Sequence, residues 1–201
     1  MRREEVTAIV LCGGTGTRLG GTDKPLALVD GHPLVAYVLR ALEPQVGGFV
    51  LACGRDPERY EALGLPTAVD FRPGDGPLGG IVSALAHVST EWILTHPADV
   101  PFADAALVSR LAPVAEAAGV AVPRGGGRRQ NLVLLLSRQR ADELTRYYQG
   151  GGRAVRHWLD DAGVQGVDMS DVAESFFNVN TVADLRLAEE RLAALHGQAT
   201  G

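Results

Sequence analysis

The apolar run VTAIVL (6–11) empties into LCGGTGTRLGGTDKPL (11–26), a stretch with five glycines, one arginine and one lysine. A short apolar run stopped by glycine reads as a strand buried on both faces, the kind found in parallel sheets. Working outward, FVLAC (49–53), PTAV (66–69) and EWILTH (91–96) repeat the pattern, each bounded by Gly, Pro or Asp. Helical patterns lie between them at 32–44, 56–64, 79–88 and 104–119. Strand alternating with helix in this way predicts an α/β layered fold on a mostly parallel sheet.

The second half keeps the mixture. VAVP (120–123) and NLVLLLS (131–137) read as strands, 139–149 and 153–161 as helices. The glycine-rich PRGGGRRQN between those strands reads as a hairpin loop, which makes one strand antiparallel to the rest. A last helix is expected in NTVADLRLAEERLAAL. Thr181 caps it, Asp184 completes a capping box, and Leu185, Ala188, Leu192 and Leu195 share one face.

Consecutive glycines after a strand let several backbone N–H groups converge on one anion, because no Cβ blocks its approach. The loop is therefore a candidate phosphate cradle, with an ordinary strand-to-helix turn carrying exposed charges as the alternative. It is not a Walker A loop, which needs Gly-Lys followed by Ser or Thr, nor a Rossmann fingerprint, whose third glycine would stand at Leu19. Lys24 is the only lysine in the chain, against 18 arginines, and it sits in this loop. A compact ammonium in an arginine-rich chain suits a triphosphate oxygen better than a planar fork does.

With 201 residues and 46% hydrophobic content, the chain is expected to form one domain spanning 1–201. A net charge of −5 argues against a broad nucleic-acid surface. The segment ahead of the glycines is too short for a signal peptide core or a membrane span, so the expected location is cytoplasmic. Two cysteines, Cys12 and Cys53, make no disulfide framework or zinc motif and read as buried thiols.

Asp99, in THPADVPF, follows the strand EWILTH and so falls at the carboxyl edge of a parallel sheet, where ligands of open α/β folds collect. A carboxylate there can hold Mg²⁺, which takes one or two protein oxygens and fills its shell with water and phosphate. The same residue also reads as a turn-forming aspartate. Asp70 ends PTAV and reaches the same edge if the strands are neighbours. Asp75 reads as structural and Asp104 as a helix cap. Asparagine occurs only at 131, 178 and 180. In an extended FFNVNT segment Asn178 and Asn180 share a face and can offer two amides to one ligand, or else support the turn before the last helix. The five histidines are scattered, with no partner that signals a metal site or a triad.

Taken together, LCGGTGTRLGGTDKPL, GPLGG, PADVPF and FFNVNTVADL, in that order and over nearly the whole chain, resemble the molybdenum cofactor guanylyltransferases (MobA). The glycine loop is common to many nucleotidyltransferases, and the NVNT segment with the short length narrows the resemblance to the molybdopterin branch. The resemblance implies a Rossmann-like three-layer fold of the nucleotidyltransferase type. It also implies transfer of GMP from GTP to the phosphate of molybdopterin, with Mg²⁺ and release of pyrophosphate. Carried over by motif, Leu11, Cys12, Gly13, Gly14, Lys24, Asp70 and Asp99 would bind GTP, and Asp99 would hold the metal. Arg18, Lys24 and Asp99 would carry catalysis, while Asn178 and Asn180 would face the pterin. Arg128, Arg129, Arg153 and Arg156 are candidates for the pterin phosphate, ranked below the loop because any one of them reads more readily as solvated surface charge.

Cys12 stands where the family usually has alanine, RQNLVLL where it often has His-Pro or Gln-Pro, and ACGR lacks an asparagine common near that strand end. The expected partners are GTP and molybdopterin, with molybdenum-insertion proteins and molybdoenzyme chaperones as candidate protein contacts. A monomer is expected, with no nucleic acid and no membrane. Rival functions are a cytidylyltransferase on the same pterin, a sugar-phosphate nucleotidyltransferase, and a nucleotide-binding interaction module without turnover.

Overall fold

A computed structural model of the chain, which describes residues 1–13, 18–19, 22–72 and 74–199, sets the VTAIVL run inside a six-stranded sheet. Its strands are β1 (Val6–Leu11), β2 (Gly48–Ala52), β3 (Thr67–Ala68), β4 (Trp92–Pro97), β5 (Val120–Ala121) and β6 (Leu134–Ser137). Their order across the sheet is β3, β2, β1, β4, β6, β5. β1 pairs in parallel with both β2 and β4, and β2 with β3. β6 runs antiparallel to β4 and β5, as a hairpin connection before it requires.

The helices are α1 (Leu34–Leu42), α2 (Gly76–Leu85), α3 (Leu107–Ala118), α4 (Arg138–Gln149), α5 (Val155–Asp161) and α6 (Val182–Ala199). Successive strand residues point to opposite faces, and each face buries its own helices. Val10, Leu51 and Leu94 pack with Val35, Val38 and Leu111 of α1 and α3. Ile9, Val50 and Ile93 pack with Ile81, Leu144 and Trp158 of α2, α4 and α5. The result is the three-layer α/β fold.

A third apolar cluster closes the chain back on itself. Leu28–Val29 and His32–Pro33 form a tight hairpin around Asp30 and Gly31, whose φ values of 47° and 75° are those a twisted two-residue turn needs. Val29 and Leu34 then pack with Val179, Ala188 and Leu192, so the start of α6 comes to rest beside the segment that follows the glycine loop. The capping box closes as expected. The Asp184 N–H donates to Thr181 Oγ1 at 3.1 Å and the Thr181 N–H to Asp184 Oδ2 at 2.8 Å. The side chain of Leu195 lies outside the described residues.

Three elements differ from the sequence expectation. Residues 56–64 form a 3₁₀ helix, Pro57–Leu63, entered through Pro57 and stopped by Gly64 at φ 64°. α3 begins at Leu107, and Asp104 instead shapes the preceding turn by accepting the Ala106 N–H at 2.9 Å. The glycine-rich loop after β5 holds its own hairpin, Pro123–Gly125 against Arg128–Arg129, around Gly126 and Gly127 at φ 60° and 76°.

His96 on β4 is fully buried, with Nδ1 2.9 Å from the Pro97 carbonyl and no partner for Nε2 among the described residues. Burial lowers its pKa to about 4, against a smaller opposing effect of the Pro97 carbonyl. Between the ordinary value of about 6.5 and that folded value, the unfolded chain binds a proton that the folded one does not. Stability is therefore expected to fall by roughly 3 kcal/mol as pH drops through that window. Urea denaturation of His96→Met should show a flatter pH dependence there. An unchanged slope would assign the acid sensitivity to other groups.

Candidate active site

Strand order reverses at the carboxyl ends of β1 and β4. From β1 the chain moves out to β2 and β3, and then returns to β4 on the other side. Such a switch point leaves a crevice at the sheet edge. Here it is a cavity of about 590 Å³, walled by the turns after β1, β2, β3 and β4 together with the start of α2.

Those turns are laced together by main-chain bonds. The Cys12 and Gly13 N–H groups both donate to the Ala52 carbonyl, at 2.9 and 2.8 Å. The Cys53 N–H donates to Ala68 at 3.0 Å and the Asp70 N–H to Gly54 at 2.8 Å. The Cys12 and Gly13 amides are thus engaged within the fold, and the two residues form the floor of the cleft. Gly14 lies outside the described residues, and so does the side chain of Arg18.

Gly13 is glycine for a packing reason, since a Cβ there would stand 2.9 Å from the Gly54 backbone nitrogen. Gly13→Ala is expected to push the two turns apart, costing about 1–3 kcal/mol and weakening nucleotide binding. Denaturation and GTP titration check it; unchanged values in both would show that the turns separate freely.

Beneath the floor, Cys12 and Cys53 are buried free thiols, as the sequence suggested. A hydrogen bond with Cys53, together with burial, pushes the Cys12 thiol up. Tyr60 donates its hydroxyl to the Cys12 carbonyl at 3.2 Å, and its own burial raises the phenol pKa. The sequence offered no signal for Tyr60 beyond a helical pattern. The same holds for the Asp23–Arg59 ion pair and for Arg55 and Asp56 in the cleft wall.

The charged centre is assembled from three distant segments. Lys24 opens a 3₁₀ turn, Lys24–Leu26, and is only 6% exposed. Its Nζ lies 2.9 Å from Asp99 Oδ2 and 2.6 Å from Asn180 Oδ1, donating to both. The Val179 N–H donates to the Asp99 carbonyl at 2.9 Å, which locks the FFNVNT segment to the turn after β4. The lysine and the carboxylate therefore share one place at the sheet edge, but as partners of each other. Asn178 and Asn180 divide their tasks: Asn180 holds Lys24, whereas Asn178 Oδ1 is buried with no partner among the described residues.

Asp70 lines the same cavity, half-buried over Gly80 and beside Gly54. Burial, and then the neighbouring Asp75, raise its pKa. Asp75 is structural: it accepts the Tyr148 hydroxyl at 2.6 Å and pairs with Arg153 at 3.5 Å. Arg153 in turn stacks 4.8 Å from the Tyr148 ring. Arg129 donates to Asn131 at 2.7 Å, the Val164 carbonyl at 2.9 Å and Asp160 at 2.5 Å. These two arginines are thus engaged within the fold, although Arg153 is exposed, as are Arg128 and Arg156.

Among the described residues no three His, Cys, Asp or Glu side chains gather as a metal cage. Asp99 alone fits a magnesium ion that brings its remaining ligands as water and phosphate.

The family model described as a MobA-like NTP transferase domain matches residues 8–164. A molybdenum cofactor guanylyltransferase of Cupriavidus necator is 38% identical over 197 residues, covering 94% of this chain and 98% of its own. That of Serratia proteamaculans is 38% identical over 190 residues, covering 94% and 96%. Among solved structures, molybdopterin-guanine dinucleotide biosynthesis protein A from Archaeoglobus fulgidus matches with a TM-score of 0.72 at 27% identity, covering 94% of this chain and 99% of that one.

Proposed function

We propose a reaction for this chain from one premise: it belongs to the MobA-like NTP transferase family. The protein is a nucleotidyltransferase that transfers GMP from GTP to the phosphate of molybdopterin, giving the guanine dinucleotide cofactor and pyrophosphate. We take residues 1–201 to act as one domain. The observation that carries the site is the meeting of Lys24 and Asp99 at 2.9 Å on the rim of the switch-point cleft.

A molybdopterin phosphate oxygen attacks the α-phosphorus of GTP. The bond to the bridging oxygen breaks, and its electron pair leaves with pyrophosphate. A phosphate oxygen is already ionised at neutral pH, so the nucleophile needs no general base. No histidine among the described residues lines the cleft, in keeping with that. Catalysis then rests on positioning and charge neutralisation.

Lys24 would hold phosphate oxygens, with Arg18 as a second cation on the triphosphate. Cys12, Gly13 and Leu11 form the surface on which the nucleotide lies, and Asp70 faces it from the next turn. Magnesium, held by Asp99 and bound along with GTP, would neutralise charge on the departing phosphates. Asn178, with its unpartnered carbonyl, is the candidate pterin contact. No described helix is long and apolar enough to cross a membrane.

The test is to incubate the purified protein with molybdopterin, Mg²⁺ and GTP, CTP or UTP in turn, identifying the dinucleotide. Product and pyrophosphate are expected with GTP and only when the pterin is present. Preference for CTP would make it a cytidylyltransferase, and GTP binding without product would make it a binding module.

A further inference from the structure

We propose that Lys24 is the resting counter-ion of the Asp99 carboxylate, that a divalent cation binds Asp99 only by displacing it, and that Asn180 sets how firmly it is held. The proposal rests on the nucleotidyltransferase reading of this cleft. The ammonium donates to Asp99 Oδ2 at 2.9 Å, and a divalent ion on that carboxylate would face a unit positive charge a few ångströms away in a half-buried site, where such repulsion is weakly screened. The ion therefore enters when the ammonium leaves.

The surroundings favour an exchange in which only the tip of Lys24 moves. Its backbone starts the Lys24–Leu26 turn and is followed by Pro25, so the stem is fixed while the four-carbon chain can swing. Its other partner is rigid. The Asn180 N–H is held by Asp184 Oδ2 at 2.9 Å, and the preceding Val179 N–H is tied to the Asp99 carbonyl. The Asn180 carbonyl thus pulls the ammonium toward Asp99 and lowers the fraction of molecules ready for metal. A displaced ammonium is free to meet the phosphate oxygens that arrive with the metal, so metal and nucleotide are taken up as a pair. Asn180 is in this account a positioning residue, acting on the metal through Lys24.

The experiment measures Mn²⁺ binding to nucleotide-free protein, with free Mn²⁺ read by its paramagnetic resonance signal. Affinity should rise by at least about 10-fold in Lys24→Met and by about 3-fold in Asn180→Ala, as expected when the competent fraction increases. Asn180→Ala changes no charge and so separates release of the ammonium from long-range repulsion; it also carries the test if Lys24→Met does not fold. Asp99→Asn should abolish the site in either background. The proposal is overturned if the affinity of Asn180→Ala or of a folded Lys24→Met stays within about twofold of the parent, or if Asp99→Asn leaves binding intact. Were the wild-type protein to form the dinucleotide while Mn²⁺ ignored Lys24 and Asn180, this proposal alone would fall; absence of product would instead count against the reaction.

Discussion

Asp99→Asn is expected to reduce pyrophosphate release by on the order of 10²- to 10³-fold, the loss typical when one preorganised charge is removed from a transition-state site. The substitution keeps the side-chain shape, and the Asp99 main chain stays tied to Val179, so the cleft should keep its form. It leaves the buried Lys24 ammonium with neutral partners only. Breaking one side of a buried pair costs about 3–5 kcal/mol. The Asp99 side chain is 22% exposed, so solvent should reduce that to roughly 2 kcal/mol here. A double variant, Lys24→Met with Asp99→Asn, should recover stability without recovering turnover. That combination separates the structural task of the pair from its catalytic one. Wild-type turnover in the single variant would remove Asp99 from the mechanism.

Lys24→Ala should weaken GTP binding and lower the rate by about 10²-fold, and Lys24→Arg should not restore it. The niche between Asp99 and Asn180 leaves Lys24 only 6% exposed, which suits a narrow ammonium. A guanidinium would make a two-pronged bond with the carboxylate and would be slower to leave it for phosphate. The two variants should therefore differ in stability, with Arg closer to wild type, and resemble each other in rate. Steady-state kinetics with GTP as the varied substrate, beside urea denaturation, gives both quantities. Equal rates for Arg and Lys would show that the position asks only for charge.

Much of this site was legible in the sequence because its pieces fall where strands end. VTAIVL and EWILTH are apolar runs closed by turn residues, so Gly13 and Asp99 had to lie at one sheet edge once the strands ran in parallel. The scarcity of lysine and asparagine then marked Lys24, Asn178 and Asn180. Their mutual contact was not legible. Lys24 stands 75 residues from Asp99 and 156 from Asn180, and no local pattern encodes a bond across such distances.

The engaged amides of Cys12 and Gly13 were hidden for a related reason, since glycines announce close approach but not what approaches; here it is the turn at Ala52 and Gly54. Arg129 and Arg153 looked like surface charge because their acceptors are carbonyls and carboxylates contributed by other segments. The 3₁₀ helix at Pro57–Leu63 has a helical period, and over seven residues that period does not distinguish a 3₁₀ from an α-helix.

Because Lys24 is the only lysine, selective isotope labelling of lysine side chains gives a single reporter at the centre of the cleft. Addition of GTP with Mg²⁺ should move that resonance as the ammonium leaves Asp99 for phosphate, and Mn²⁺ in place of Mg²⁺ should broaden it away. A resonance that neither moves nor broadens while the nucleotide is bound would mean that the triphosphate and its metal lie elsewhere on the molecule.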